Sequence, residues 1–274
     1  MLRSMYSSVS GLKAQQTKMD VIGNNIANVS TVGFKAGDAY FKELIPQDTG
    51  SVSEGSPFNR EVGLGVEIAA IDTKFTQGSL QTTGNNLDFA IEGDGMFVTV
   101  PSTVYQGGNP TAIDFTNQDQ IADVTYTRDG IFRWDTEGYL RTAEGNYVLS
   151  KDGEPVTYEA TLGNPNGAVT VESVLAVANF FNPAGLDKLG GNNYAQSDKS
   201  GAPVFGGAGD ETVEPVTGAI FKNGVIRSGC VEMSNVDLAT EFTNMIVVSR
   251  AYQANSRTIT TSDEMLQELI NLKR

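Results

Sequence analysis

Both ends of this chain carry the same narrow apolar rhythm, and few folds accommodate that. From Leu2 the series Leu2, Met5, Val9, Leu12, Gln16, Met19, Gly23, Ile26 advances alternately by three and four residues. From Leu238 the series Leu238, Phe242, Met245, Ser249, Tyr252, Ser256, Ile259, Asp263, Leu266, Ile270 keeps the same alternation. This is the spacing of a coiled-coil seam. It predicts a helix over 3–28, about 39 Å long at 1.5 Å per residue, and a longer one within 234–274. Ser234 and Asp237 stand where an N-cap and a first-turn acid belong, and Lys273 and Arg274 lie at the end whose dipole favours cations.

Seams this narrow are poor stand-alone cores. Closing on each other as an αα-hairpin is one solution, but it leaves Phe242, Met245, Tyr252 and Ile259 facing water. Association with other copies of the chain is therefore expected. The subunit-interface residues predicted are Leu2, Met5, Val9, Leu12, Met19, Ile22 and Ile26 on the first helix, and Phe242, Met245, Ile246, Tyr252, Ile259, Leu266 and Ile270 on the second. Ser249, Ser256 and Asp263 interrupt the second seam every seven residues and are expected to set register at some cost in stability.

The triplet Gly-Asn-Asn occurs at 23–25, 84–86 and 191–193, but only the first interrupts a seam. Gly23 is expected to let helices approach closely. Asn24, Asn25 and Asn28 are expected to bond to backbone where the helix gives way to an extended link through Gly33 and Phe34. These residues form the predicted helix-to-linker joint.

The middle of the chain reads as β structure. Asp129-Gly130, Glu137-Gly138, Glu144-Gly145 and Asp152-Gly153 recur every seven or eight residues, with aromatic and aliphatic residues between them. That predicts a meander of short antiparallel strands. "NNLDFAIEGDGMFVTV" reads as another hairpin turning at 92–95. Residues 46–62, rich in Pro, Gly and Ser, read as a flexible link. The glycine-rich stretch 183–218 reads as long surface loops. The fold class expected is α+β, a discontinuous helical domain (1–30 and 234–274) with a mainly antiparallel β domain (76–233) inserted, reached through a linker and β segment (31–75).

With no histidine and one cysteine, Cys230, the chain can form no Ser-His-Asp triad, no Cys-His pair, no thiolate or imidazole zinc site and no internal disulfide. Cys230 is expected to be a packed, inert thiol. The carboxylate pairs Glu92/Asp94 and Asp135/Glu137 invite a glycosidase or calcium reading. Both sit at tight turns beside glycine, where turn chemistry is the simpler account, and no calcium-loop pattern is present. Asn28-Val29-Ser30 matches a glycosylation sequon and Gly63-Leu64-Gly65 is no dinucleotide fingerprint. No cofactor, metal or catalytic residue is predicted. Residues 46–231 carry the whole net charge of −14, which disfavours nucleic acid and anionic membrane as partners. No apolar run reaches the 18 residues of a spanning helix, and the N-terminus has no cleavable-signal pattern. A secreted β-rich adhesin and an acidic glycan hydrolase are alternatives of other classes.

Residues 2–35, "LRSMYSSVSGLKAQQTKMDVIGNNIANVSTVGFK", and 232–274, beginning "EMSNVDLATEFTNMIVVSRAYQAN", resemble the two ends of bacterial flagellar rod and hook proteins. The segments "GNNLDFAIEGDGMFVT", "YTRDGIFRWDTEGYLRTAEGNYVL" and "NFFNPAGLDKLGGNNYAQSDKSGAP" are similar to the family's central parts. Within the family, the opening and the ending "SDEMLQELINLKR" resemble the short hook protein more than the distal rod protein. The resemblance implies a structural polymer whose terminal helices form an inner tube and whose β domain lies outside it. It also implies export through the flagellar export apparatus without a cleaved signal, partners among the rod, hook-cap and hook-filament junction proteins, and, for a hook, torque transmission from rod to filament.

Overall fold

The computed structural model describes residues 2–48, 61–105, 112–115, 118–158, 174–206, 211–213 and 220–272. The chain divides into two units. One comprises Met1–Val29, Ala36–Lys74 and Val236–Arg274; the other comprises Ser30–Lys35 and Phe75–Asn235. The α+β class is as expected, with helices at both ends and an antiparallel β body between them.

The first unit contains helix α1 (Leu2–Ala27), helix α3 (Leu238–Leu272) and a β-hairpin. Two glycines inside α1 each cost about 1 kcal/mol relative to alanine, so this helix depends on packing rather than propensity. Helix α3 starts at Asp237, whose carboxylate accepts the Ala239 amide at 3.0 Å and the Thr240 hydroxyl at 2.6 Å. That is an N-cap, one turn later than the Ser234 cap anticipated; Ser234 is buried ahead of the helix. Lys273 and Arg274 lie outside the described residues.

The hairpin pairs β1 (Gly37–Glu43) with β4 (Val66–Thr73) antiparallel, from Gly37↔Thr73 to Glu43↔Val66, with an irregularity at Tyr40/Phe41. Short strands β2 (Gln47–Asp48) and β3 (Glu61–Val62) extend it. The segment 31–75 is thus split: its first five residues belong to the β unit, and 36–74 group with the helices. Of the expected flexible link at 46–62, both ends are paired strand, and 49–60 lie outside the described residues.

The second unit holds β5 (Leu80–Thr82), β6 (Phe89–Glu92), β7 (Met96–Val100), a one-turn helix α2 (Gln118–Ile121), β8 (Thr125–Thr127), β9 (Phe132–Trp134), β10 (Leu140–Thr142), β11 (Tyr147–Val148), β12 (Val177–Asn179), β13 (Asp187–Gly190), β14 (Asn193–Ala195), β15 (Val204–Gly206), β16 (Glu211–Val213), β17 (Ile220–Lys222), β18 (Val225–Ser228) and β19 (Cys230–Glu232). Among the described residues the main sheet has the path β13-β14-β8-β7-β11-β10-β9, with β12 joining β7 and β15 joining β12. Strand β7 lies at its centre and is buried along its whole length. Its side chains alternate between two cores. Met96, Val98 and Val100 join Tyr126, Phe180 and Tyr194 on one face, and Phe97 joins Phe89, Phe132, Leu140 and Ile226 on the other. Burial on both faces explains why "MFVTV" is nearly all apolar rather than alternating, and its one polar side chain, Thr99, bonds to the Thr125 hydroxyl at 2.8 Å.

Three expectations are corrected here. The stretch 87–98 is no hairpin, because β6 pairs with β18 (Ile91↔Ile226) while β7 pairs with β8, β11 and β12. Glu92–Gly95 instead holds the Gly224 amide on the Asp94 carbonyl at 2.7 Å. The meander does run through β9, β10 and β11, turning at Gly138 and Gly145. Asp129-Gly130, however, joins strands that do not pair, and Gly130 is needed for close approach: a Cβ there would lie 1.6 Å from the Phe89 carbonyl oxygen. Finally, 183–218 holds sheet strands β13 to β15, not only loops. Residues 207–210 and 214–219 lie outside the described residues.

Candidate assembly surface

Three pairs of side chains fix how α1 meets α3. The Ser8 and Thr258 hydroxyls share a hydrogen bond. A Cβ on Gly11 would lie 2.7 Å from Asn255 Nδ2. Asn25 Nδ2 donates to Glu241 Oε1 at 3.1 Å. The residue numbers of each pair add to 266, so the helices run antiparallel in one unbroken register. The face that α1 turns inward carries Ser8, Gly11, Ala14, Ile22 and Asn25, all buried. On α3 the buried residues are Val248 and Ser262, in the same seven-residue series as Glu241 and Asn255. Small and polar groups, with Ile22 and Val248 beside them, rather than the apolar seam therefore join the two helices.

The seam read from the sequence lies one residue round from this face, about 100° on a helix of 3.6 residues per turn. Val9 is 39% exposed, and Phe242, Ile246, Tyr252 and Ile270 are 50%, 62%, 39% and 66% exposed. Met5, Leu12, Met19, Ile26, Met245, Ile259 and Leu266 are half-buried, and Ile22 alone among the expected interface residues is buried. The side chain of Leu2 lies outside the described residues. None of the expected register residues meets α1 through a hydrogen bond among those described. Ser249 Oγ donates to the Ile246 carbonyl at 2.9 Å, Asp263 is exposed beside Gln267, and Ser256 is half-buried. Within the chain, register is set by Ser8–Thr258, Gly11–Asn255 and Asn25–Glu241.

The joint falls slightly later than the triplet suggests. Helix α1 continues through Gly23, Asn24 and Asn25 and ends where Asn28 donates its side-chain amide to the Asn24 carbonyl at 2.9 Å. Asn25 is buried and fastens the hairpin, donating to the Gly37 carbonyl at 2.8 Å and accepting the Gly37 amide at 3.0 Å. Gly33, with φ +69°, makes the turn, and Phe34 is buried after it. Gly23 is exposed, and a Cβ there would meet nothing within 4 Å, so it is not the site of close helix approach; Gly11 is. Opposite outcomes are expected. Gly23→Ala raises thermal stability by about 0.5–1 kcal/mol through helix propensity, whereas Gly11→Leu costs about 1–3 kcal/mol by overpacking. Thermal unfolding followed by circular dichroism checks both.

Sequence reasoning missed a buried ionic cluster in the β unit. Glu232 on β19 is fully buried, and its Oε1 accepts Lys35 Nζ at 2.6 Å and the Gly78 amide at 2.8 Å, while Oε2 accepts Arg128 Nη1 at 2.9 Å. Lys35, also fully buried, donates to the Thr76 carbonyl at 2.9 Å, and Arg128 Nη2 donates to the Gly93 carbonyl at 2.8 Å. Loss of solvent pushes the Lys35 pKa below its ordinary value, and the neighbouring Arg128 charge lowers it further, against the pull of Glu232. Each charge has its partner, and both cations also donate to carbonyls, although Arg128 Nε is buried with no hydrogen-bond partner among the described residues. The three residues are about a hundred positions apart, so no local pattern announces them.

Three of the four carboxylates considered for catalysis are ion-paired. Asp135 pairs with Arg141 at 2.9 Å, Glu137 lies 3.8 Å from the same guanidinium, and Glu92 pairs with Arg227. Among the described residues no group of three or more acidic, cysteine or histidine side chains is placed to hold a metal ion. None of the described helices is long and apolar enough to cross a membrane. Cys230 is half-buried, 3.8 Å from the Thr82 hydroxyl.

Comparison with known proteins agrees with where this geometry lies. The family described as "Flagella basal body rod protein" matches residues 5–35, and "Flagellar basal body rod FlgEFG protein C-terminal" matches 227–272. These spans contain α1 from Met5 onward with its joint, and β19 with α3. The chain is 40% identical to the flagellar basal-body rod protein FlgG of Bacillus subtilis and 34% identical to that of Borreliella burgdorferi, in each case over the full length of both chains. It is 26% identical to the flagellar hook protein FlgE of Borreliella burgdorferi, in an alignment of 451 positions covering both chains.

Proposed function

This chain belongs to the family of flagellar basal-body rod and hook proteins, and from that premise we propose that it is an axial structural subunit that polymerises through α1 and α3, in the distal rod. The observation that carries the polymer reading is the offset between the two faces of each helix. The polar, small-residue face is used up inside the chain, and Phe242, Ile246, Tyr252 and Ile270 remain exposed. Burying one such side chain is worth roughly 1.5–3 kcal/mol, so a few per subunit outweigh the cost of ordering two copies against each other. The expected interface residues other than the buried Ile22 thereby keep their role between copies. The family's members are structural parts of the flagellum, and no catalytic step is assigned to this one.

Rod is favoured over the hook that the termini suggest because of length. The two rod relatives align end to end at 34–40% identity. The hook relative needs 451 aligned positions against a chain of 274 residues, so at least 177 of them have no counterpart here. A rod subunit would neighbour other rod subunits and the base of the hook, and would leave the cell by the flagellar export apparatus. Contacts with hook-cap and hook-filament junction proteins belong to the hook reading.

Electron microscopy of basal bodies from a strain lacking this chain separates the two. Basal bodies truncated before the distal rod support the rod reading. Complete rods without hooks support the hook, and intact rods with normal hooks contradict any axial role.

A further inference from the structure

The two helices are unequal, and their register fixes where the excess lies. Helix α1 has 26 residues and α3 has 35. With paired residues adding to 266, Leu2 stands opposite position 264, so residues 265–272 of α3 run past the start of α1 by about 12 Å. On that overhang Met265, Leu269 and Leu272 follow an i, i+4, i+7 spacing, sharing one face, and are 48%, 50% and 82% exposed. They form an apolar stripe with no helix of this chain beside it in the register that the three pairs define.

The same unit holds a groove with the opposite property. Between α1 and β4 lies a cavity of about 390 Å³, with apolar walls from Ala14, Leu44, Val66 and Ile68 and a rim that includes Lys13 and Thr17. The chain cannot fill this groove with its own overhang. The groove sits at residues 10–17 of α1, which in this register face 249–256 of α3, whereas the overhang begins beyond Leu2, at least eight residues further along the axis. Charge also matches. Lys13 enters no ion pair among the described residues, whereas Glu67 on the same rim is taken by Lys42 at 3.2 Å. Glu268 flanks the apolar stripe on the overhang and is exposed.

We propose that the α3 overhang of one copy, through Met265, Leu269 and Leu272, docks in the α1–β4 groove of a second copy, with Glu268 against Lys13. This rests on the axial-polymer reading and gives it a specific contact. Overhang and groove are different surfaces of one chain, so the contact is heterologous. Such contacts propagate instead of closing on a dimer, as a tubular polymer needs. The rim ion pair contributes direction more than strength.

Cysteine cross-linking tests the contact. Thr17→Cys and Leu269→Cys are made separately, each with Cys230→Ser, then mixed and oxidised at a concentration where the unaltered chain self-associates by sedimentation. A disulfide joining the two variants is expected in the mixture and not in either variant alone, since bridged residues need Cα atoms within about 7 Å. As a second arm, Lys13→Glu and Glu268→Lys should each weaken association about threefold to fivefold, the scale of a rim ion pair, and the two together should restore it. If the chain associates, but no mixed disulfide forms and the charge swap restores nothing, this contact is wrong while the axial reading stands. If the unaltered chain does not associate at all, both fail together.

Discussion

Glu232→Gln is expected to cost the β unit about 3–5 kcal/mol of folding stability, the typical penalty for breaking a buried ion pair from one side. Among the described residues Glu232 is the only carboxylate in contact with two buried cations, Lys35 and Arg128. Its amide analogue keeps the shape, and one oxygen can still accept the Gly78 amide. It also leaves two cations without a counter-charge and turns an N–H toward one of them. Lys35→Met should cost less, about 1–3 kcal/mol, because Glu232 keeps Arg128 and the Gly78 amide while a desolvated cation beside Arg128 disappears. Urea unfolding monitored through Trp134, the single tryptophan, reports on this unit. Near-equal losses for the two variants would show that the carboxylate is not the centre of the cluster.

Alkali should unfold the β unit steeply. Tyr126 and Tyr194 are buried in the same core, and burial pushes the Tyr194 phenol up to about 12 and the Tyr126 phenol further still. Both folded pKa values lie above the ordinary 10.0. The unfolded chain therefore loses protons at pH 10 that the folded chain keeps, and stability falls as pH rises through the window from 10 to about 12. Tyr105, half-buried against the same core, is also pushed up to about 12 by burial, and three such groups give a slope of about 4 kcal/mol per pH unit. Lys35 acts in the opposite sense: its folded pKa is depressed below 10.5, so its contribution improves with pH until 10.5 and is constant above. Measurements between 10.5 and 12 isolate the tyrosines. Tyr126→Phe should lower the slope by about a third. At pH 7 it should be neutral or slightly stabilising, because the Tyr126 hydroxyl is buried with no hydrogen-bond partner among the described residues. An unchanged slope in that variant would remove Tyr126 from the account.

The helices and several turns were readable because their signals are local. Alternating three-four spacing located α1 to within a residue or two, and Gly138 and Gly145 marked real turns. The orientation of each helix was not readable. Ser8 and Val9, or Glu241 and Phe242, are neighbours in sequence yet face different directions, and the apolar member is the natural choice for the buried side. Here the buried side is largely small and polar, and the exposed apolar side is the proposed assembly surface. Pairings over long separations were equally silent. Strand β6 passes over its neighbour β7 to pair with β18, and Lys35, Arg128 and Glu232 converge from three distant segments. Glycine content misled at 183–218, where Gly190, Gly191 and Asn192 supply the left-handed backbone of a hairpin turn between β13 and β14 rather than a loop.

Sedimentation of the purified chain beside Phe242→Ser/Ile246→Ser tests most directly whether the exposed helix faces are assembly surfaces. The account predicts concentration-dependent association of the unaltered chain, a shift of at least about tenfold to higher concentration in the double variant, and melting of the dilute variant within a few degrees of the original. An unchanged association midpoint, or a loss of monomer stability as large as that of a core substitution, would contradict it.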